Sequence, residues 1–83
     1  MTMQVIVTRF VGPTNHRGPR VIARCDARRR TFDWNHRLGI EENHRAAALA
    51  LARELGWDQY GELVTGGLPG DGGYAHVIAR KGA

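Results

Sequence analysis

Residues 40–55 read I-E-E-N-H-R-A-A-A-L-A-L-A-R-E-L, and this stretch decides the fold. At 3.6 residues per turn, Ile40, Ala47, Ala48, Leu51 and Leu55 fall within about 100° of one another with His44 among them, which predicts one amphipathic helix over Ile40–Leu55. Glu41 and Glu42 occupy its first turn, where carboxylates suit the positive end of the helix dipole, and Gly56 closes it. Gly39 and Ile40 bring no Ser, Thr or Asp side chain to the N-cap, so the start is written less sharply than the end. Burying Leu51 and Leu55 contributes roughly 1.5–3 kcal/mol each. On the polar side, Leu49 lies with Glu42, Arg45 and Arg53, flanked by Ala46 and Ala50. That smooth face suits a homodimer contact; without it the chain is a monomer.

On the N-terminal side of the helix the periodicity changes to two. Gln4 to Val11 is β-branched and apolar, with Val5, Val7 and Val11 on one parity and Ile6, Thr8 and Phe10 on the other, so a strand buried on part of both faces is expected. The segment G-P-T-N-H-R-G-P-R, residues 12–20, is turn chemistry, with two glycines and two prolines. A second strand runs from Arg20 to Cys25, and Asp26 to Arg29 turn into a third, Arg30 to Trp34. This reading puts Arg20 and Arg24 on one exposed strand face beside the Arg28–Arg30 corner. Beyond the helix, Glu62 to Thr65 and Tyr74 to Arg80 form two more strands joined by a glycine-rich connection. The order β-β-β-α-β-β predicts an α+β fold: an antiparallel sheet of about five strands with one helix packed across one face. At 83 residues the whole chain, 1–83, is one small domain.

Charge is unevenly distributed. Between Arg9 and Arg37 eight arginines face only Asp26 and Asp33, a local excess of +6 within a chain of net charge +4. Guanidinium groups stay ionised and fork towards planar oxyanions, so this block suits phosphate backbones or an acidic protein surface. The candidate binding residues are Asn15, His16, Arg17 and Arg20 in the proline-stiffened turn, with Arg24, Arg28, Arg29 and Arg30 in the strands and corner beside it. A turn whose shape is preset lowers the ordering cost of binding. Phe32, Trp34 and Tyr74 are either stacking partners for a single-stranded ligand or, more simply, core residues.

Other chemistry is poorly supported. The loop Gly66–Gly73 has neither phosphate-cradle spacing and opens no helix. His16, His36, His44 and His76 show no close ligand spacing, so no metal or other cofactor is expected, and His44 reads as a helix-face histidine satisfied at the edge of the core. Cys25 shares parity with Val21 and Ala23, the setting of an inert thiol. No pair of carboxylates is placed to hold separated pKa values, and the chain reads as a non-enzyme. Its apolar content of 42% and charged content of 24% fit a globular domain, no run is long enough to span a bilayer, and the start lacks the basic stretch of a secretory signal. A cytoplasmic location is expected, with no membrane partner.

Two motifs carry a resemblance. Pro13, Thr14, Asn15, Gly18 and Arg20, followed by Glu42, Asn43, His44, Arg45, Ala46, Ala47 and Ala48 and then L-G-W ending at Trp57, resemble a family of small proteins carried by proteobacterial phages, plasmids and genomic islands, with the pattern P-T-N-x-x-G-x-R and E-x-N-H-R-A-A-A. Pro19 stands where the pattern has a small hydroxyl residue, and Ile40 where it has a capping serine. The resemblance implies a mobile-element accessory protein that inhibits a host defence complex, anti-CRISPR-like, by stoichiometric binding. Since the chain is basic, its partner would be an acidic surface of a defence effector protein or that effector's nucleic acid. The alternative is a small nucleic-acid-binding module using the same arginine-rich face.

Overall fold

The computed structural model describes residues 4–70 and 72–80. Strands β1 (Ile6–Val11), β2 (Arg20–Arg24) and β3 (Arg29–Asp33) precede helix α1 (Ile40–Glu54). A single 3-10 turn at Asp58–Tyr60 then leads into β4 (Gly61–Gly67) and β5 (Tyr74–Arg80). The five strands form one antiparallel sheet in the order β3-β2-β1-β5-β4, with the helix across one face, so the α+β architecture read from periodicity is the one observed.

Strand boundaries differ from the expected ones for identifiable reasons. The first strand begins at Ile6 and not Gln4. The second ends at Arg24 because the Cys25 amide donates to the Arg28 carbonyl in the turn that reverses the chain, and this also starts β3 at Arg29. β4 extends beyond Thr65 because Gly66 and Gly67 still pair with Ala75 and Tyr74, their lack of side chains being no bar to a backbone ladder.

The core lies between helix and sheet. Ala47, Ala48, Leu51 and Ala52 of α1 pack on Ile6, Val21, Ala23 and Ile78, with Cys25, Phe32, Trp34, Leu55, Trp57 and Leu63 around them. Three alanines in that stripe let the helix backbone sit close to the sheet, and Leu51 fills the remaining depth. Ile40 does not join this face: it is 66% exposed, because the buried stripe starts one turn later at Asn43.

Asn43 explains that late start. Its side-chain carbonyl accepts from the Asn35 amide at 2.8 Å, and its amide donates to the carbonyls of Asn35, Leu38 and Gly39. The N-cap, Gly39, has no side-chain hydrogen bond of its own. One buried amide therefore staples the β3–α1 connection to the helix start and replaces a conventional cap.

At the other end of the fold, Gly73 has φ +89° and lies so close to β1 that a β-carbon there would overlap the Thr8 carbonyl oxygen. Glycine is required at this position on both counts. The contact presses the β4–β5 connection against the middle of the sheet.

Candidate functional site

The pairing register assigns Arg9, Arg20, Arg24, Arg29 and Arg30 to a face. Directly opposed residues share a face, so Ile6, Thr8, Val21, Ala23, Arg30, Phe32, Leu63, Thr65, His76 and Ile78 turn toward the helix. Among the described residues the other face has no helix on it. There Arg24 stands opposite both Val7 and Arg29, and Arg9 stands opposite Ile22. These residues, with Gly72 of the β4–β5 connection, line a groove of about 360 Å³.

Val7 and Ile22, both half-buried, form an aliphatic floor, and the exposed Arg9, Arg24 and Arg29 surround it. Among the described residues none of these three arginines has an ion pair or a side-chain hydrogen bond. Like charges directly opposed across two strands are destabilising, so Arg24 and Arg29 hold an unfavourable pair that a bound anion would relieve.

The rest of the expected basic surface is divided. Asn15, His16 and Arg17 are exposed at the tip of the β1–β2 loop, which Thr14 tightens: its amide donates to the Arg17 carbonyl at 2.7 Å, and its hydroxyl accepts from the amides of His16 and Arg17. Arg20 is half-buried and donates to the Gly18 carbonyl at 3.3 Å, holding the loop base. This loop leaves the sheet where Val11 pairs with Arg20, whereas the groove lies further along, around Val7 and Arg24.

Arg28 and Arg30 are the correction. Both turn toward the helix side, where Arg28 Nη1 lies 2.6 Å and Arg30 Nη2 2.5 Å from Oε1 of Glu54. The hydrogen bond from Arg30, then that from Arg28, hold the Glu54 carboxyl below its ordinary range despite partial desolvation, and Glu54 in turn raises Arg30. Consecutive strand residues face opposite ways, so the run Arg28-Arg29-Arg30 could not present three cations to one ligand. Arg29 alone reaches the open face. Arg9 takes the vacant role; its parity with Val7 and Val11 was the signal that pointed to it.

The candidate stacking residues also lie on the helix side. Phe32 and Trp34 pack against the core, Trp34 meets Phe10 edge-on at 5.1 Å, and Tyr74 lies 4.5 Å from the His44 ring. No Phe or Tyr of the paired strands shares the open face with the groove arginines.

Below the helix lies a polar chain that periodicity alone did not reveal. His44 is not at the edge of the core but 1% exposed, and Thr8 and His76 are fully buried. Thr8 Oγ1 shares hydrogen bonds of 2.8 Å with His44 Nδ1 and with His76 Nε2, and His76 Nδ1 shares one of 2.9 Å with Thr65 Oγ1. Arg45 then donates to Thr65 Oγ1 at 2.9 Å. A guanidinium can only donate, so a single polarity, Arg45 to Thr65 to His76 to Thr8 to His44, lets each hydroxyl donate once and accept once. Burial, then the charges of His44 and Arg45, push His76 down to about 4. Burial also lowers His44, partly offset by the Thr8 backbone. The chain of hydrogen bonds ties β1, β4, β5 and α1 together.

The helix face around Leu49 is mixed, with Ala46 and Arg53 exposed and Leu49 and Ala50 half-buried. Among the described residues no group of three or more His, Cys, Asp and Glu is placed to hold a metal ion, and no helix is long and apolar enough to cross a membrane. The chain matches no protein-family model, and no similar curated protein or solved structure was found.

Proposed function

We propose that the chain is a stoichiometric binding protein whose open sheet face engages an acidic protein surface, and that it serves as a mobile-element accessory protein inhibiting a host defence complex in the host cytoplasm. The anti-defence role rests on the resemblance of the P-T-N-x-x-G-x-R and E-x-N-H-R-A-A-A motifs. The binding surface rests on one observation: three arginines that have no acidic partner among the described residues, around an aliphatic floor. A mixture of cations and aliphatics, with Val5 44% and Val64 50% exposed and Val7 and Ile22 half-buried, fits a protein partner better than a phosphate backbone, for which apolar surface offers nothing.

The motif residues themselves support folding. Asn43 staples the connection, His44 and Arg45 end the polar chain, and Ala47 and Ala48 seat the helix. The exposed tip Asn15-His16-Arg17 adds a second contact at the other end of the sheet. Affinity capture from a phage-challenged host tests the proposal: the wild-type chain recovers a defence-effector subunit, and the Arg9→Glu, Arg24→Glu double variant does not. Recovery of nothing by the wild type, with unchanged phage sensitivity of expressing cells, contradicts it.

The same three arginines, Arg9, Arg24 and Arg29, support nucleic acid as the second reading. In that case affinity for DNA or RNA falls steeply between low and moderate salt, because each neutralised phosphate releases counterions. No shift of either nucleic acid at low salt removes this reading.

A further inference from the structure

The groove has a pattern as well as a charge. Arg24 is opposite Val7 and Arg9 is opposite Ile22, so along β1 and β2 the cations and aliphatics form a checkerboard, with Arg9 and Arg24 on one diagonal and Val7 and Ile22 on the other. Diagonal neighbours across antiparallel strands stand roughly 7–8 Å apart, and side chains two apart on an extended chain stand roughly 6.6–6.8 Å apart. Arg29 doubles the charge at the Arg24 corner. Gly72 bounds the groove, and its position is set by the close approach of Gly73 to Thr8.

Resting on the reading that this face binds protein, we infer that the groove takes an extended acidic segment of the partner, in which two glutamates separated by one residue pair with Arg9 and with Arg24–Arg29. Their methylene stems lie on Val7 and Ile22. Carboxylates accept bidentate guanidinium bonds, and aliphatic stems use a floor that a phosphodiester would leave unsatisfied.

The test uses labelled dodecapeptides and the full chain. One peptide alternates Glu and Ser; its isomer repeats Glu-Glu-Ser-Ser and so has equal charge but no glutamates two apart. The alternating peptide is expected to bind about fivefold or more tighter than the isomer, and Arg9→Gln or Arg24→Gln to remove most of that difference. Methyl resonances of Val7 and Ile22 are expected to shift on its addition, and circular dichroism checks that both variants fold. Equal affinity for the two peptides, or indifference to both substitutions, overturns the inference. If those results accompany capture of a partner that Arg9→Glu, Arg24→Glu abolishes, the inference falls while the protein-binding reading stands. Tighter binding of a thymidylate dodecamer through Arg9 and Arg24 overturns both.

Discussion

The Thr8 hydroxyl stands 2.8 Å from Nε2 of His76, in a part of the core where both residues are fully buried, and the same oxygen meets His44 on its other side. A single hydroxyl thus satisfies two imidazoles from different elements. Replacing Thr8 by Val keeps the shape and strands both ring nitrogens, each of which costs about 1–3 kcal/mol when unpaired and buried. Urea denaturation of Thr8→Val is therefore expected to show a loss of at least about 2 kcal/mol, with Thr8→Ser restoring much of it. A Val variant as stable as the wild type would show that the chain of hydrogen bonds contributes little.

Acid is expected to destabilise the fold from near neutrality. An unfolded histidine takes up a proton near its ordinary value of 6.5, whereas folded His76 does so only near 4. Between those values the unfolded chain binds more protons, so stability present above pH 6.5 is lost as the pH falls, by on the order of 3 kcal/mol from His76 by the lower limit. His44 is shifted in the same direction. Glu54, lowered by its arginines, adds a further loss as the pH falls through the carboxylate range. Denaturation midpoints measured at about pH 7 and about pH 4.5 should differ clearly, and less so in His76→Gln.

Gly73→Ala should be among the most damaging single-methyl changes. It combines a positive φ, which alone costs about 1–3 kcal/mol for other residues, with overlap on the Thr8 carbonyl. Gly66→Ala meets open space and no positive φ, and serves as the control. Thermal melts of the pair test the close approach directly; equal melting temperatures would refute it.

How much of this was legible beforehand follows from the range of each interaction. The helix and the succession of elements β-β-β-α-β-β came from local periodicity, which needs only neighbouring residues. The Thr8–His76 contact joins residues 68 apart, and the Arg28 and Arg30 pairs with Glu54 span 26 and 24. Such contacts depend on which parity of each strand faces the helix, and a one-residue change of register would have reversed Arg29 and Arg30. Thr65 and His76 did carry a trace of the answer, sharing parity with Leu63 and Ile78 along their strands. Ile40 misled because helical spacing does not say where the sheet ends.

Glu54→Gln frees Arg28 and Arg30 on the helix side. Retention of the chain on an anionic heparin column should increase, and the melting temperature should fall by an amount that shrinks as salt is raised. Unchanged retention would mean that both guanidiniums were already available to ligands.

Arg29→Glu separates binding from stability. It converts the opposed Arg24–Arg29 pair into one of opposite charge, so the denaturation midpoint should hold or rise while binding weakens. A binding surface kept at some expense to the fold has this signature; a solvated charge without function loses nothing on reversal.

The decisive measurement is affinity capture from a challenged host with the wild type and the Arg9→Glu, Arg24→Glu, Arg29→Glu variant, both verified as folded. The expected result is an acidic protein recovered in equimolar amount by the wild type and missing from the variant. Equal recovery by the two chains would contradict a role for the open sheet face in binding.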